Sequence, residues 1–212
     1  MDASELARTI NEPNFVYLIR RFLQGQLSPT YNSFTDAQLL PFFNCPISVY
    51  PSAIATFYAP SDPCGTRGMR RECIQAIPSW RWGPGCYDCV LVETNPNAPG
   101  MLGLNVARMQ LFFSFSYRGT FYPCALVHWF SWVGNGPDEN TRMWIVEPDL
   151  NMDGSHCAGV LHLDTIIRVA HLIAVYGENF LPKGLSPAQS LDIFRSYYVN
   201  KYIDHHSFET VF

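Results

Sequence analysis

The spacing of hydrophobic positions changes twice along the chain. Over residues 2–26, Leu6, Ile10, Phe15, Leu18, Ile19 and Phe22 recur at helical intervals, with Ser4 as the expected cap. Pro13 breaks that helix near Asn11 or Glu12, and Gly25 ends it. From residue 47 the pattern becomes β. ISVYPSAIATFYA is rich in β-branched and aromatic residues, and YDCVLVET alternates Cys89, Leu91 and Glu93 with Val90, Val92 and Thr94. VARMQLFFSFSY, a turn at Arg118-Gly119 and FYPCALVHWFSWV predict the clearest hairpin, and MWIVEP predicts a further strand. AGVLHLDTIIRVAHLIAVYG reads as one strand running into another through a bend at Asp164-Thr165. A helix is expected over 186–200, with Ser186 at the cap, Pro187 at the first position, and Leu191, Phe194 and Tyr198 along one face.

These elements divide the chain into an N-terminal helical segment (1–27), a turn-rich connector (28–46) and a single domain (47–212). The expected class is mainly β, within α+β: an antiparallel, partly closed β-barrel with a helix at each end. No parallel βαβ series, internal repeat or low-complexity tract appears.

Composition narrows the function. At 48% hydrophobic and 15% aromatic residues, the 212-residue chain can bury a substantial core. Charged residues are only 15%, which suggests that some surface is normally covered, as in a piece of a longer polypeptide. The net charge of -4 argues against a chain that binds nucleic acid through its overall charge. No run reaches the ~18 apolar residues of a membrane helix, and MDASELARTINEPNF lacks the apolar region of a secretory signal. The seven cysteines are therefore expected to be reduced thiols in a nuclear or cytoplasmic, non-secreted protein.

Candidate chemistry begins at YPCALVHWFSWV, where Cys124 precedes His128 by four residues. On a strand such residues share a face but lie roughly 13 Å apart, too far for proton transfer. Both faces of the segment are apolar, which predicts a central barrel strand and a structural histidine. Cys86 and Cys89 form a C-x-x-C, but the upstream pair, Cys64 and Cys73, is separated by eight residues, too many for a zinc ribbon. His205 and His206 are adjacent and so point different ways on any regular element; a site combining them with His162 and His171 is disfavoured. A metal-dependent nuclease would draw on Asp138, Glu139, Glu147, Asp149, Asp153 and Asp164, although Asp138, Glu139 and Asp153 sit in turn-like sequence. No phosphate-binding or dinucleotide glycine motif is present, and no catalytic residue, metal site or cofactor is assigned.

Two constellations suit binding. RGMRRECIQAIPSWRWGPG interleaves Arg67, Arg70, Arg71 and Arg81 with Trp80 and Trp82, pairing phosphate contacts with stacking surfaces; the alternative is an exposed loop that covers the barrel end. Tyr117, Trp129, Trp132 and Trp144 could form an aromatic pocket for a methylated lysine or a peptide, although alternation buries about half of such residues. Trp129 and Trp132 are expected on opposite faces of their strand.

At DCVLVETNPNAPGMLGLNVARMQLFFSFSYRGTFYPCALVHWFSWVGNGPDENTRMWIVEP, HLDTIIRVAHLIAVYG and YYVNKYIDHHSF, the sequence resembles the C-terminal region of Plavaka-type fungal transposases, which are related to CACTA-like elements. FYAPSDPCGTRGMRRECIQAIPSWRWGP fits as well, so the resemblance runs from about Phe15 to the end. It implies that an RNase H-like catalytic domain would lie upstream, that no catalytic residue carries over, and that no zinc motif is expected. The run from VHWFSWVG to HLDTIIRVAHLIAVYG is similar to the bromo-adjacent-homology (BAH) barrels of chromatin proteins, an analogy of fold alone. The resulting expectation is a non-catalytic interaction module whose partner is chromatin, another protein or DNA, with no membrane association.

Overall fold

The computed structural model describes residues 1–27, 40–60, 67–177, 184–186 and 189–212. Two helices open the chain. Asp2 rather than Ser4 caps α1 (Ala3–Thr9), because its carboxylate accepts the orphan N–H of Ser4 at 3.3 Å. Asn11 takes a left-handed φ of 54° at the junction expected near Pro13. Then α2 (Phe15–Leu27) buries Phe15, Ile19 and Leu23 at helical spacing. Most of the connector, 28–39, lies outside the described residues; its end is held where Arg20 donates to the carbonyls of Leu40 and Pro41, both at 2.9 Å.

The strands follow as β1 (Ser48–Tyr50), β2 (Ser52–Tyr58), β3 (Met69–Ile77), β4 (Cys86–Tyr87), β5 (Cys89–Glu93), β6 (Leu104–Tyr117) and β7 (Thr120–Trp132). After them come β8 (Trp144–Pro148), β9 (Ala158–His162), β10 (Ile166–Val169), β11 (Leu172–Ala174), α3 (Ser190–Ile193), β12 (Tyr197–Val199) and α4 (His205–Val211). A nine-stranded antiparallel sheet runs β10-β5-β6-β7-β8-β12-β11, with β1 also on β6 and β9 also on β7. β2, β3 and β4 form a separate three-stranded sheet.

The large sheet curls because its two longest strands change partners midway. β6 pairs with β5 at Leu104–Arg108 and with β1 at 112–114, while β7 pairs with β9 at 124–128 and with β8 at 130–132. A bulge at Gln110, between Met109 and Leu111, adds the local twist. It also swaps the side-chain parity: Ala107 and Met109 share a core with Phe112, whereas Leu111, Phe113 and Phe115 face the helices. The product is the mainly β half-barrel that the alternation predicts.

β7 is the two-sided apolar strand expected of YPCALVHWFSWV. Cys124 and Leu126 pack with α1 and α2, whereas Ala125 and Val127 pack against the three-stranded sheet. At its start, Arg118 and Gly119 both have positive φ, 52° and 83°, as a two-residue hairpin turn requires. Asp164 lies in a single 3-10 turn, Leu163–Thr165, which makes the predicted bend between β9 and β10.

Gly25 lies inside α2 rather than ending it, and two further expectations need correction. The helix expected over 186–200 is only the four-residue α3, and Tyr197–Val199 instead fill the gap between β8 and β11. Tertiary pairing overrides the helical spacing, and Tyr197, 1% exposed, donates to the carbonyls of Ser190 and Phe194. The Arg/Trp segment is not simply a loop: its first half is β3, held by seven register pairs with β2 and by the burial of Ile74 and Ala76.

Candidate functional site

The four aromatic residues singled out above do not converge. Tyr117 is 8% exposed among the helix-facing residues at the tip of β6. Trp129 lies on the opposite face, where a Cβ added at Gly159 would collide with its indole nitrogen. Only Trp132 and Trp144 meet, edge to face with centroids 4.8 Å apart, and Trp132 Nε1 donates to Asn105 Oδ1 at 3.2 Å. Their packing places them in three different clusters, so one cation cage does not draw on all four.

Of the carboxylates between 138 and 164, Asp138 and Asp153 serve their own turns. Asp138 Oδ1 accepts from the N–H groups of Asn140 and Thr141, and Asp153 Oδ1 accepts from the Ser155 N–H and hydroxyl. Glu147 lies 3.7 Å from Arg195, Asp164 lies 3.3 Å from His162, and Glu139 is exposed in its turn. Burial, with Asp149 beside it adding, pushes the Cys157 thiol up. Among the described residues no three His, Cys, Asp or Glu side chains are arranged to hold a metal ion. Cys64 lies outside the described residues, Cys73 is exposed, and burial pushes Cys89 up to about 12. His205 and His206 diverge as adjacency predicts: the first contacts Glu209 at 3.2 Å, and the second stacks on Phe57 at 4.3 Å.

The Arg/Trp residues lie along one sheet. Directly opposite residues of an antiparallel pair share a face, so Tyr58 with Met69, Thr56 with Arg71 and Ile54 with Cys73 make up the outer face of β2 and β3. Tyr58, Ile54 and Met69 are exposed there by 63%, 55% and 43%, and no carboxylate lies among the outward residues of the two strands. Arg70 instead pairs with Phe57 on the inner face and contributes to lowering the Asp204 pKa. Arg67 stands at one end of β3, and Trp80, Arg81 and Trp82 at the other, roughly 25 Å away at the usual strand rise.

That far loop carries its aromatics on a strained backbone. Arg81 and Trp82 both have left-handed φ, 50° and 66°, a conformation that costs about 1 kcal/mol or more per non-glycine residue. Three hydrogen bonds hold it: Trp80 N–H to the Pro84 carbonyl, Gly83 N–H to the Trp80 carbonyl, and the Ser79 hydroxyl to the Gly83 carbonyl. Trp82 is left 103% exposed, and the Arg81 guanidinium lies 5.3 Å from the Trp80 ring.

His128 has a different setting from Cys124. Cys124 is fully buried and its thiol is pushed up to about 12, whereas His128 is half-buried and opens into a cleft. Its ring stacks on His156 at 4.7 Å, and its Nε2 lies 4.0 Å from Glu12 Oε2. Neither partner is legible from β7: Glu12 comes from the helical turn and His156 from the loop before β9.

No family model matches the chain, and neither the curated proteins nor the solved structures compared with it give a match.

Proposed function

We propose that the chain is a non-catalytic interaction module that binds single-stranded nucleic acid along the outer face of β2 and β3. The carrying observation is the strained loop that leaves Trp82 103% exposed beside the Arg81–Trp80 contact. A tryptophan without a packing role, carried on a hydrogen-bonded loop next to the Arg81–Trp80 pair, suits base stacking with phosphate pairing. Tyr58 offers a further ring along the strand, and Arg67 and Arg71 offer charge where no outward carboxylate opposes them.

With a chain net charge of -4, stacking rather than charge has to supply most of the affinity. Titration with oligothymidylate, followed by tryptophan fluorescence at low salt, tests the reading. Quenching that saturates supports it; no quenching rejects it.

A further inference from the structure

The cleft at His128 has a volume of about 1110 Å³. Its walls come from the α1–α2 turn, from Tyr50, from the Gln110 bulge, from Tyr87 and from the loop carrying His156. Glu12 is anchored through one oxygen, Oε1, which accepts the Asn14 N–H at 3.3 Å. Its other oxygen faces His128 Nε2 at 4.0 Å, beyond hydrogen-bond distance. Among the described residues no hydrogen bond reaches that oxygen or either ring nitrogen of His128. Burial, with His156 and Arg108 adding, pushes the His128 pKa down to about 4, so at neutral pH the ring is an uncharged acceptor.

Two acceptors, one of them anionic, therefore face each other across a gap that lacks a donor. A tetrahedral nitrogen about 2.8 Å from both would see them at roughly a right angle, near the angle between two of its own N–H bonds. From this geometry we infer that the cleft binds an alkylammonium group, with one N–H donated to Glu12 Oε2 and another to His128 Nε2. His128 then carries its own proton on Nδ1. The aliphatic stem lies along the apolar wall near Leu6 and Ile10, and the Tyr87 ring lines the same space. The same chemistry is carried by a free amine and by a lysyl side chain of a partner protein.

The site is independent of the nucleic-acid reading, and its test involves no nucleic acid. The full chain, with its histidine ring nitrogens observed by NMR, is titrated with n-butylammonium chloride and with an end-blocked peptide containing one lysine. n-Butanol and the same peptide with norleucine serve as controls. The expected result is a saturable shift at His128 and His156 with an ammonium probe and none with either control. Tighter binding of the peptide identifies a lysyl side chain, and tighter binding of butylammonium a free amine. Glu12→Gln retains the oxygen that accepts from Asn14, and is expected to weaken binding by about tenfold to a hundredfold, the worth of a charge-assisted hydrogen bond. Equal shifts with butanol, the result if only water bridges the gap, would overturn the inference. So would the absence of any saturable shift, or undiminished binding by a folded Glu12→Gln protein.

Discussion

Arg168 grips Asp204 with two parallel hydrogen bonds, Nη1 to Oδ1 at 2.8 Å and Nη2 to Oδ2 at 2.7 Å. The pair fastens α4 to β10, and the same guanidinium reaches Glu72 of β3 at 2.7 Å and lies 5.0 Å from the Phe57 ring. Both sheets and the C-terminal helix thus meet at one side chain that is 3% exposed.

Removing that side chain should cost more than any surface change. Arg168→Met leaves the carboxylates of Glu72 and Asp204 half-buried without their shared cation, at an expected cost of about 3–5 kcal/mol. A urea unfolding midpoint that barely moves would contradict this account. The Arg168 hydrogen bonds, with the Ser207 N–H and nearby charge adding, hold the Asp204 pKa down to about 2. A carboxylate depressed in the folded state contributes stability above its ordinary pKa and loses it on acidification. This contribution, on the order of 2 kcal/mol, is expected to vanish between about pH 4 and 2, and Asp204→Asn should lack that step.

Gly159 is open to a sharper test. The Trp129 indole covers it so closely that a methyl group there would push into the indole nitrogen. Gly159→Ala is expected to destabilise by about 1–3 kcal/mol through overpacking and to shift Trp129 fluorescence. Gly119, whose added Cβ meets nothing within 4 Å but whose φ is 83°, makes the comparison: there alanine should cost through backbone strain and leave Trp129 unchanged.

What could be read from residues alone follows from how far apart the interacting residues lie. The β6–β7 hairpin was legible because alternation, the Arg118-Gly119 turn and the two-sided apolar run all act locally. β12 was not, since Tyr197–Val199 become a strand only by lying between β8 and β11. The Gln110 bulge is similarly silent in the sequence, and it decides which face Leu111 and Phe113 take. At the candidate surface the Arg/Trp composition was readable, but the inward turn of Arg70 depended on pairing with β2. The cleft was unreadable, since Glu12, His128 and His156 come from three separate segments.

Trp82 separates binding from stability. A fully exposed ring contributes little to the core, so Trp82→Ala is expected to leave the unfolding midpoint within about 0.5 kcal/mol of the parent. Its affinity for oligothymidylate should fall by about tenfold, the lower end of what one stacked base is worth. Arg71→Ala should instead weaken binding mainly at low salt and reduce the salt dependence by somewhat less than one ion. Unchanged affinity in the Trp82 variant would remove the stacking platform on which the proposed function rests.

The last prediction concerns acid below neutrality, in a window distinct from that of Asp204. Burial first, then His156 and Arg108, moves the His128 pKa from its ordinary 6.5 down to about 4. Glu12, at 4.0 Å, is too far to form the hydrogen bond that would favour the cation. Between these two pH values the unfolded chain takes up a proton on this residue that the folded chain refuses, so stability rises with pH across the interval. The contribution is complete above about pH 6.5 and falls by roughly 3 kcal/mol as the pH drops toward 4. His128→Gln removes the titration while keeping a polar side chain at the cleft. Urea midpoints at pH 7 and pH 4.5 should therefore lie closer together in the variant than in the parent. Equal pH sensitivity in the two proteins would mean that His128 is solvated enough to protonate in place near its ordinary pKa.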